Sequence, residues 1–93
     1  MNIEELYYFS EVSKSGSFSF TAQKLGVGEE IINLSIRRLE NKLGFKLIEL
    51  SSDSKVVITY EGLQVISLVN EVLMKYEEIE ELVQSLNKNL LSI

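Results

Sequence analysis

The chain has 93 residues, of which 45% are hydrophobic and 25% are charged, and its formal net charge is −5. It is long enough for one small domain, and it is too apolar to stay disordered. Cysteine and histidine are both absent, which excludes disulfides and removes the commonest metal ligands and the commonest general base.

Two helices are predicted at the N-terminus. Apolar residues recur at spacings of three and four from Ile3 onward, and Gly16 ends this first helix. Ser19 is a suitable N-cap for a short second helix, which Gly26 terminates.

A third helix is predicted from about Glu29 to Leu43, after the tight turn GVG and before Gly44. At about 100° per residue, one narrow stripe of this helix is apolar and must face the core. The stripe consists of Ile32, Ile36, Leu39 and Leu43. Two short helices joined by a glycine-containing turn form the helix-turn-helix arrangement.

The opposite face of the third helix carries polar and charged residues together with one leucine. These residues are Glu30, Asn33, Leu34, Arg37, Arg38 and Asn41. Arginine and asparagine form bidentate hydrogen bonds with guanine and adenine edges in the DNA major groove. The alternative is a solvated face on which Arg37 and Arg38 form salt bridges with Glu40 or Glu30. On this helix alone, the solvated face is the better interpretation.

A β-hairpin is predicted after the third helix. The runs KLIEL and KVVIT are separated by the polar segment SSDS, and the second run is rich in β-branched residues. The hairpin is either a flap that covers the core or a wing that contacts a DNA backbone. The sequence does not separate these two roles.

A final helix of about 30 residues is predicted after Thr59, a suitable N-cap. Its apolar positions alternate between spacings of four and three. They are Val65, Val69, Val72, Tyr76, Ile79, Val83, Leu86 and Leu90. Such a helix is about 45 Å long, too long to bury this stripe on its own small domain, so we expect a homodimer through the stripe. The alternative is that the stripe packs wholly on its own domain.

Charge is distributed unevenly along the chain. From Ser17 to Leu50, five basic residues stand against four acidic ones, whereas from Tyr60 onward six acidic residues stand against two basic ones. Phosphate binding depends mainly on lysine and arginine. The middle segment is therefore the candidate anion-binding surface, and the last helix is a separate acidic element.

The sequence also favours some function classes less than others. No run of about 18 apolar residues is present, and the N-terminus MNIEELYYF lacks the regions of a secretory signal. We therefore expect no membrane span and a cytoplasmic location. Paired glutamates are abundant, but no activated nucleophile accompanies them. We expect no enzymatic activity, no cofactor and no metal site.

Several sequence markers occur in order over nearly the whole chain. They are GSF, Ala22, KLGV, IRRLE, LG followed by KL, and Thr59 with Gly62. In this order and spacing they resemble the N-terminal domain of LysR-type transcriptional regulators. The resemblance implies a mainly α fold, with a winged helix-turn-helix of three helices and a β-hairpin wing over residues 1–59. A long linker and dimerisation helix follows over residues 60–93.

The same resemblance implies a homodimer that reads double-stranded promoter DNA through the third helix and the wing. Intact members of the family also carry a larger effector-binding domain after the long helix, and these 93 residues do not include one. The sequence leaves open whether they are part of a longer regulator.

The start of the third helix departs from the family pattern. The usual Ser-Gln-Pro reads Gly28, Glu29 and Glu30 here. Acids near a phosphate repel it, although the positive N-terminus of a helix stabilises acids by about 0.3 to 1 kcal/mol each. A glutamate is also able to accept a hydrogen bond from the cytosine amino group.

Further departures concern positions that commonly face the DNA backbone. Apolar residues stand there in place of basic or polar ones, at Phe20, Leu34 and Leu50. The wing tip, often rich in arginine, reads SSDSK and has Lys55 as its one cation. Each missing phosphate contact removes part of a salt-dependent attraction.

Two functions remain as hypotheses. The leading one is a sequence-specific, dimeric DNA-binding module of a transcriptional regulator. Its contact residues are Glu30, Asn33, Leu34, Arg37, Arg38 and Lys55. The alternative is a protein-interaction module on the same fold, in which an apolar patch with Phe20, Leu34 and Leu50 binds a partner protein and DNA binding is weakened or lost.

Overall fold

The structure, a computed structural model, describes residues 1–91 and the side chains of residues 1–89. Four helices and a two-stranded antiparallel sheet follow one another along the chain. They are α1 (Ile3–Ser15), α2 (Phe18–Leu25), α3 (Glu29–Leu43), β1 (Ile48–Leu50), β2 (Val56–Ile58) and α4 (Tyr60–Leu91). This order is that of a winged helix-turn-helix with a long final helix, which confirms the predicted fold class.

Glycines end the first three helices at the predicted places. Gly16, Gly26 and Gly44 have φ angles of 72°, 71° and 87°, in the left-handed region that other residues rarely adopt. The predicted cap of α2 was wrong. Ser17, not Ser19, is the N-cap, and its hydroxyl accepts a hydrogen bond from the N–H of Phe20 at 3.0 Å.

The core lies where α1 and α3 cross under the hairpin. On α3, Ile32, Ile36 and Leu39 are buried and Leu43 packs against them, so the predicted core stripe is confirmed. The remaining buried apolar residues are Leu6, Tyr8, Phe9, Val12, Ala22, Leu47, Ile48 and Val69. One face of α3 is thus fully used by the fold, which leaves the opposite face free.

The inward-facing residues of the hairpin cover the core. Ile48 pairs with Ile58 and Leu50 pairs with Val56 in the antiparallel register. Ile48 is buried, and the N–H of Val56 donates to the carbonyl of Gly16 at 3.1 Å. The hairpin is therefore attached to the end of α1 and covers the core, as the flap interpretation predicted.

A buried carboxylate fixes the hairpin to α3. Glu40 accepts hydrogen bonds from the N–H groups of Leu47 at 2.7 Å and Ile48 at 3.3 Å. Because this side chain points inward, it does not neutralise Arg37 or Arg38. The alternative that paired the arginines with Glu40 is wrong.

A second buried carboxylate joins α1 to α3. The Glu5 side chain closes a capping box with Asn2, and both of its oxygens accept hydrogen bonds from Lys42 Nζ at 3.1 Å. Burial raises the pKa of Glu5, but the hydrogen bonds from Lys42 and Asn2 and the charge of Lys42 outweigh it. The pKa of this carboxyl therefore lies below its ordinary value.

The start of α4 is held by the predicted cap. Thr59 Oγ1 accepts from the N–H of Gly62 at 2.9 Å and donates to the carbonyl of Lys46 at 2.7 Å. Gly62 lies directly on the sheet. A Cβ there would be 2.7 Å from Cγ2 of Ile58 and still closer to the carbonyl oxygen of Leu47, so only glycine fits without displacing the backbone.

The apolar stripe of α4 is divided between the chain's own core and the surface. Val69 is buried in the core and Val65 packs against it, because the start of α4 lies on α1 and β2. This differs from the expectation that the whole stripe is left for a partner. Five later members are 42 to 61% exposed, namely Val72, Tyr76, Ile79, Val83 and Leu86. The side chain of Leu90 lies outside the described residues.

Candidate nucleic-acid interface

The N-terminus of α3 is built without a side-chain cap. Gly28 occupies the N-cap position, and Glu29 and Glu30 form the first turn. The Glu30 carboxylate folds back over Gly28, where its Oε1 lies 2.6 Å from the point that a Cβ would occupy. It thus occupies the positive end of the helix, which is otherwise favourable for a phosphate.

A groove lies between the outward face of α3, the start of α2 and the hairpin. We call it the reading groove, and its lining residues are Ser17, Phe18, Ser19, Glu29, Glu30, Asn33, Leu34, Arg37, Leu50 and Ser54. Four of the six predicted DNA-contact residues therefore share one surface: Glu30, Asn33, Leu34 and Arg37. Arg38 and Lys55 do not line the groove.

Arg37 is the cation that lines the reading groove, about two turns after the glutamates on α3. It also lines a neighbouring depression together with Lys46 and Glu49 at the base of the hairpin. Arg37 and Arg38 are exposed, and within residues 1–89 neither forms a salt bridge. Both guanidinium groups are therefore available to an anionic ligand, and the salt bridges with Glu30 or Glu40 that the alternative interpretation required are absent from this part of the chain.

Lys46 was not among the predicted contact residues. It lies in the turn between α3 and β1, nine positions after Arg37, and only the folded hairpin brings the two together. The one available signal was its place among the basic residues of the middle segment. Ser17 to Ser19 were missed for the same reason, since the start of α2 reaches α3 only through the helix-turn-helix geometry.

The wing tip offers little positive charge. Lys55 Nζ lies 3.8 Å from Oδ2 of Asp53, and both side chains are exposed. The hydroxyl of Ser51 donates to Asp53. This bond, followed by backbone hydrogen bonds, holds the pKa of Asp53 below its ordinary value. The aspartate therefore remains ionised at neutral pH and opposes the charge of Lys55.

Two of the three apolar departures line the reading groove. Phe20, Leu34 and Leu50 are 57, 49 and 56% exposed. Leu34 and Leu50 line the reading groove from α3 and from the hairpin, whereas Phe20 is not among its lining residues. Two leucines from separate elements thus give the groove an apolar centre between its acidic and basic ends.

Other kinds of site find no support among the described residues. No three acidic side chains of this part of the chain come together in a way that would hold a metal ion. None of the helices described combines the length and the hydrophobicity needed to cross a bilayer.

Comparison with known proteins agrees with this architecture. Residues 3–63 match the family described as bacterial regulatory helix-turn-helix protein, lysR family. The HTH-type transcriptional regulator BsdA of Bacillus subtilis is 26% identical over 90 residues, which are 97% of this chain and 31% of BsdA. The HTH-type transcriptional regulator CrgA of Neisseria meningitidis is 34% identical over 80% of this chain and 24% of its own length. The chain thus spans less than a third of the length of these two relatives.

Solved structures extend the likeness to the whole fold. BenM_DBD in complex with catB site 1 DNA is 27% identical, with a TM-score of 0.84 over 92% of this chain and 96% of that one. A full-length OxyR variant from Pseudomonas aeruginosa is also 27% identical, with a TM-score of 0.84 over 91% of this chain and 28% of its own. The chain belongs to the LysR family of bacterial regulatory helix-turn-helix proteins, and its fold is that of their DNA-binding domain.

Proposed function

We propose that this chain binds double-stranded promoter DNA as a homodimer and is the sequence-specific DNA-binding module of a transcriptional regulator. The reading groove carries this proposal. Its walls present Asn33 and Arg37 from the outward face of α3, beside the start of α2 and the hairpin. A fold match to a protein in complex with DNA, at 27% identity, supports the same assignment.

In this proposal α3 enters the major groove with its outward face. Asn33 pairs with an adenine edge and Arg37 with a guanine edge, which are the partners that suit their bidentate geometry. Arg38 and Lys46 lie beside these residues and neutralise phosphates. Glu29 and Glu30 repel the backbone phosphates, so binding is weak and is detectable mainly at low salt.

Residues 1–59 contact DNA in this scheme, and residues 60–93 assemble the dimer. The exposed apolar stripe of α4 supports the second assignment, since the described side chains from residue 74 to residue 89 are all exposed. A second α4 laid along Val72, Ile79 and Val83 covers apolar area that the chain's own domain cannot reach. A dimer places two α3 helices on two half-sites.

A protein-interaction role is the second candidate. The half-exposed Leu34 and Leu50 favour it, because they give the reading groove an apolar centre with acids at one end. A partner segment with apolar and basic residues would suit such a surface. This candidate makes the opposite prediction for DNA, so one titration separates the two.

Fluorescence anisotropy with mixed-sequence duplexes, titrated across salt, tests the proposal. The unmutated chain should bind at low salt with a shallow salt dependence, because few phosphates are neutralised. Glu29→Gln with Glu30→Gln should strengthen binding to unrelated duplexes by removing repulsion. Arg37→Ala with Arg38→Ala should abolish it and leave thermal stability nearly unchanged, since both side chains are exposed.

A matched control removes two cations elsewhere. Lys14→Ala with Lys75→Ala changes the net charge by the same amount on α1 and α4, and it should weaken binding far less than the arginine pair. If neither the unmutated chain nor the double Gln variant binds any duplex at about 20 mM salt, where phosphate attraction is strongest, the protein-interaction role replaces the proposal.

A further inference from the structure

Leu34 occupies an unusual position for an apolar side chain. It lies on the outward face of α3, one turn after Glu30 and one turn before Arg38, and it is 49% exposed. Leu50 faces the same groove from β1 and is 56% exposed. Because two elements contribute a leucine each, the apolar centre is a feature of the groove rather than of one helix.

The flanking charges restrict what this apolar centre can contact on DNA. Glu29 and Glu30 close one end of the groove, so a phosphate is repelled from that end. Asn33 and Arg37 flank Leu34 with groups that hydrogen-bond base edges. In the proposed binding mode, Asn33 and Arg37 place this centre against base edges, although position 34 commonly faces the backbone in this family.

Base edges in the major groove offer one kind of apolar group. Donors and acceptors line the edges of guanine, adenine and cytosine, and the C5-methyl group of thymine is the exception. A leucine placed against a donor or an acceptor would strip it of water without replacing the hydrogen bond. A C5-methyl group is the partner that gains from contact with Leu34.

We propose that Leu34, supported across the groove by Leu50, contacts a pyrimidine C5-methyl group in the major groove. The chain then selects duplexes with a thymine or a 5-methylcytosine opposite the middle of α3. This inference rests on the proposed DNA-binding function and adds a specificity determinant to it.

The test begins with duplexes selected from a random pool by the unmutated chain at low salt. In a selected duplex, each thymine is replaced in turn by deoxyuridine, which removes the methyl group and keeps the base pair. Replacement at the contacted position should weaken binding about fourfold, the contribution of one buried methyl group. The variant Leu34→Ala should bind the two duplexes equally.

Ile31→Ala is the matched control. Ile31 is 47% exposed on the same helix but is not among the lining residues of the reading groove. This variant should therefore keep the fourfold preference for the methylated base. If Ile31→Ala keeps the preference and Leu34→Ala loses it, the loss comes from a specific contact of Leu34. It does not come from shortening an exposed side chain on α3.

A second set of duplexes distinguishes the two sources of the methyl group. With cytosine placed at the contacted position, 5-methylcytosine should bind about fourfold better than cytosine in the unmutated chain, and the tighter of the two methylated pyrimidines identifies the natural ligand. Equal binding of thymine and deoxyuridine duplexes at every position, or an equal loss in Leu34→Ala, would overturn the inference and leave DNA binding intact. If no duplex is recovered from the pool, the proposed DNA-binding function itself is contradicted. This outcome appears before any deoxyuridine duplex is tested, so it is distinct from failure of the methyl contact.

Discussion

The two halves of α4 have the same apolar periodicity but different neighbours. In the first half, Val69 is buried in the core, Gly62 lies on the sheet, and Asn70 accepts a hydrogen bond from Ser10 of α1 at 2.7 Å. In the second half, the described side chains from residue 74 to residue 89 are all exposed. Periodicity therefore indicates that an apolar stripe must be buried. The neighbouring elements determine whether its own domain or a partner buries it.

The same contrast separates the two faces of α3. Its inner face is occupied by Ile32, Ile36 and Leu39, and its buried Glu40 holds the hairpin. Its outer face carries exposed arginines without ion pairs in residues 1–89 and an exposed leucine. Substitutions on the packed surfaces should therefore affect folding, and substitutions on the open surfaces should affect partners.

The largest effect is expected at Gly62, in the packed half of α4. Gly62→Val places side-chain atoms on the carbonyl of Leu47 and on Ile58. Because a backbone carbonyl cannot move aside cheaply, the variant should lose roughly 3 kcal/mol of unfolding free energy, the upper end for overpacking. Urea unfolding followed by circular dichroism measures the loss. Ser67→Val, at an exposed position of the same helix, should be nearly neutral, and equal stability of the two variants would contradict the close approach.

The next effect is expected in the open half of α4 and concerns assembly instead of folding. Val72→Glu with Tyr76→Glu puts two charges on the exposed stripe, where a partner helix would bury them. The variant should stay folded and weaken the dimer at least tenfold. Sedimentation velocity reports the change, with Gln84→Glu and Ser85→Glu as a two-charge control off the stripe. If the unmutated chain is monomeric at tens of micromolar, the proposed homodimer is wrong.

Secondary structure could be predicted where local signals are strong. The bounds of α3 and the glycine ends of three helices follow from spacing and from left-handed stop positions. The predicted N-cap of α2 was wrong because Ser17 and Ser19 are equally good caps in isolation. In the structure Ser17 is the cap, and Phe18, the first residue of the helix, packs against the core.

The candidate site was only partly predictable, because it depends on distances between elements. The face of α3 could be assigned from its angle to the core stripe, and this gave Asn33, Leu34 and Arg37 in one groove. The contribution of Leu50 and the nearness of Lys46 depend on the tilt of the hairpin. The buried carboxylate of Glu40 helps to hold the base of the hairpin through Leu47 and Ile48, but in the sequence it looks like a surface charge.

A smaller effect is expected from the ion pair between α1 and α3. Since the folded pKa of Glu5 lies below its ordinary value of 4.5, its contribution to stability is complete above that value and is lost as the pH falls through the folded pKa. Glu5→Gln keeps a residue suited to the capping box and should remove this part of the acid sensitivity. The difference at neutral pH should be about 1 kcal/mol, because solvent screens the half-exposed Lys42.

Urea unfolding at a series of pH values measures this linkage. The unfolding free energy of the unmutated chain should fall more steeply below pH 4.5 than that of Glu5→Gln. Glu4→Gln, an exposed neighbour in the same first turn of α1, serves as the control and should follow the unmutated chain. Parallel curves for Glu5→Gln and the unmutated chain would show that Lys42 does not stabilise the folded carboxylate.

The smallest effect is expected at the wing tip, which is open like the outer face of α3 but carries opposing charges. Lys55 is the single cation there, and Asp53 lies 3.8 Å from it, so little net attraction reaches a phosphate. Lys55→Ala should flatten the salt dependence of DNA binding by at most about one unit of slope. Anisotropy titrations across salt measure the slope, with Lys46→Ala as the comparison at the base of the hairpin. Because Lys46 has no acid within salt-bridge distance in residues 1–89, its removal should flatten the slope at least as much. A larger change from Lys55 than from Lys46 would mean that the tip, and not the base of the hairpin, meets the DNA backbone.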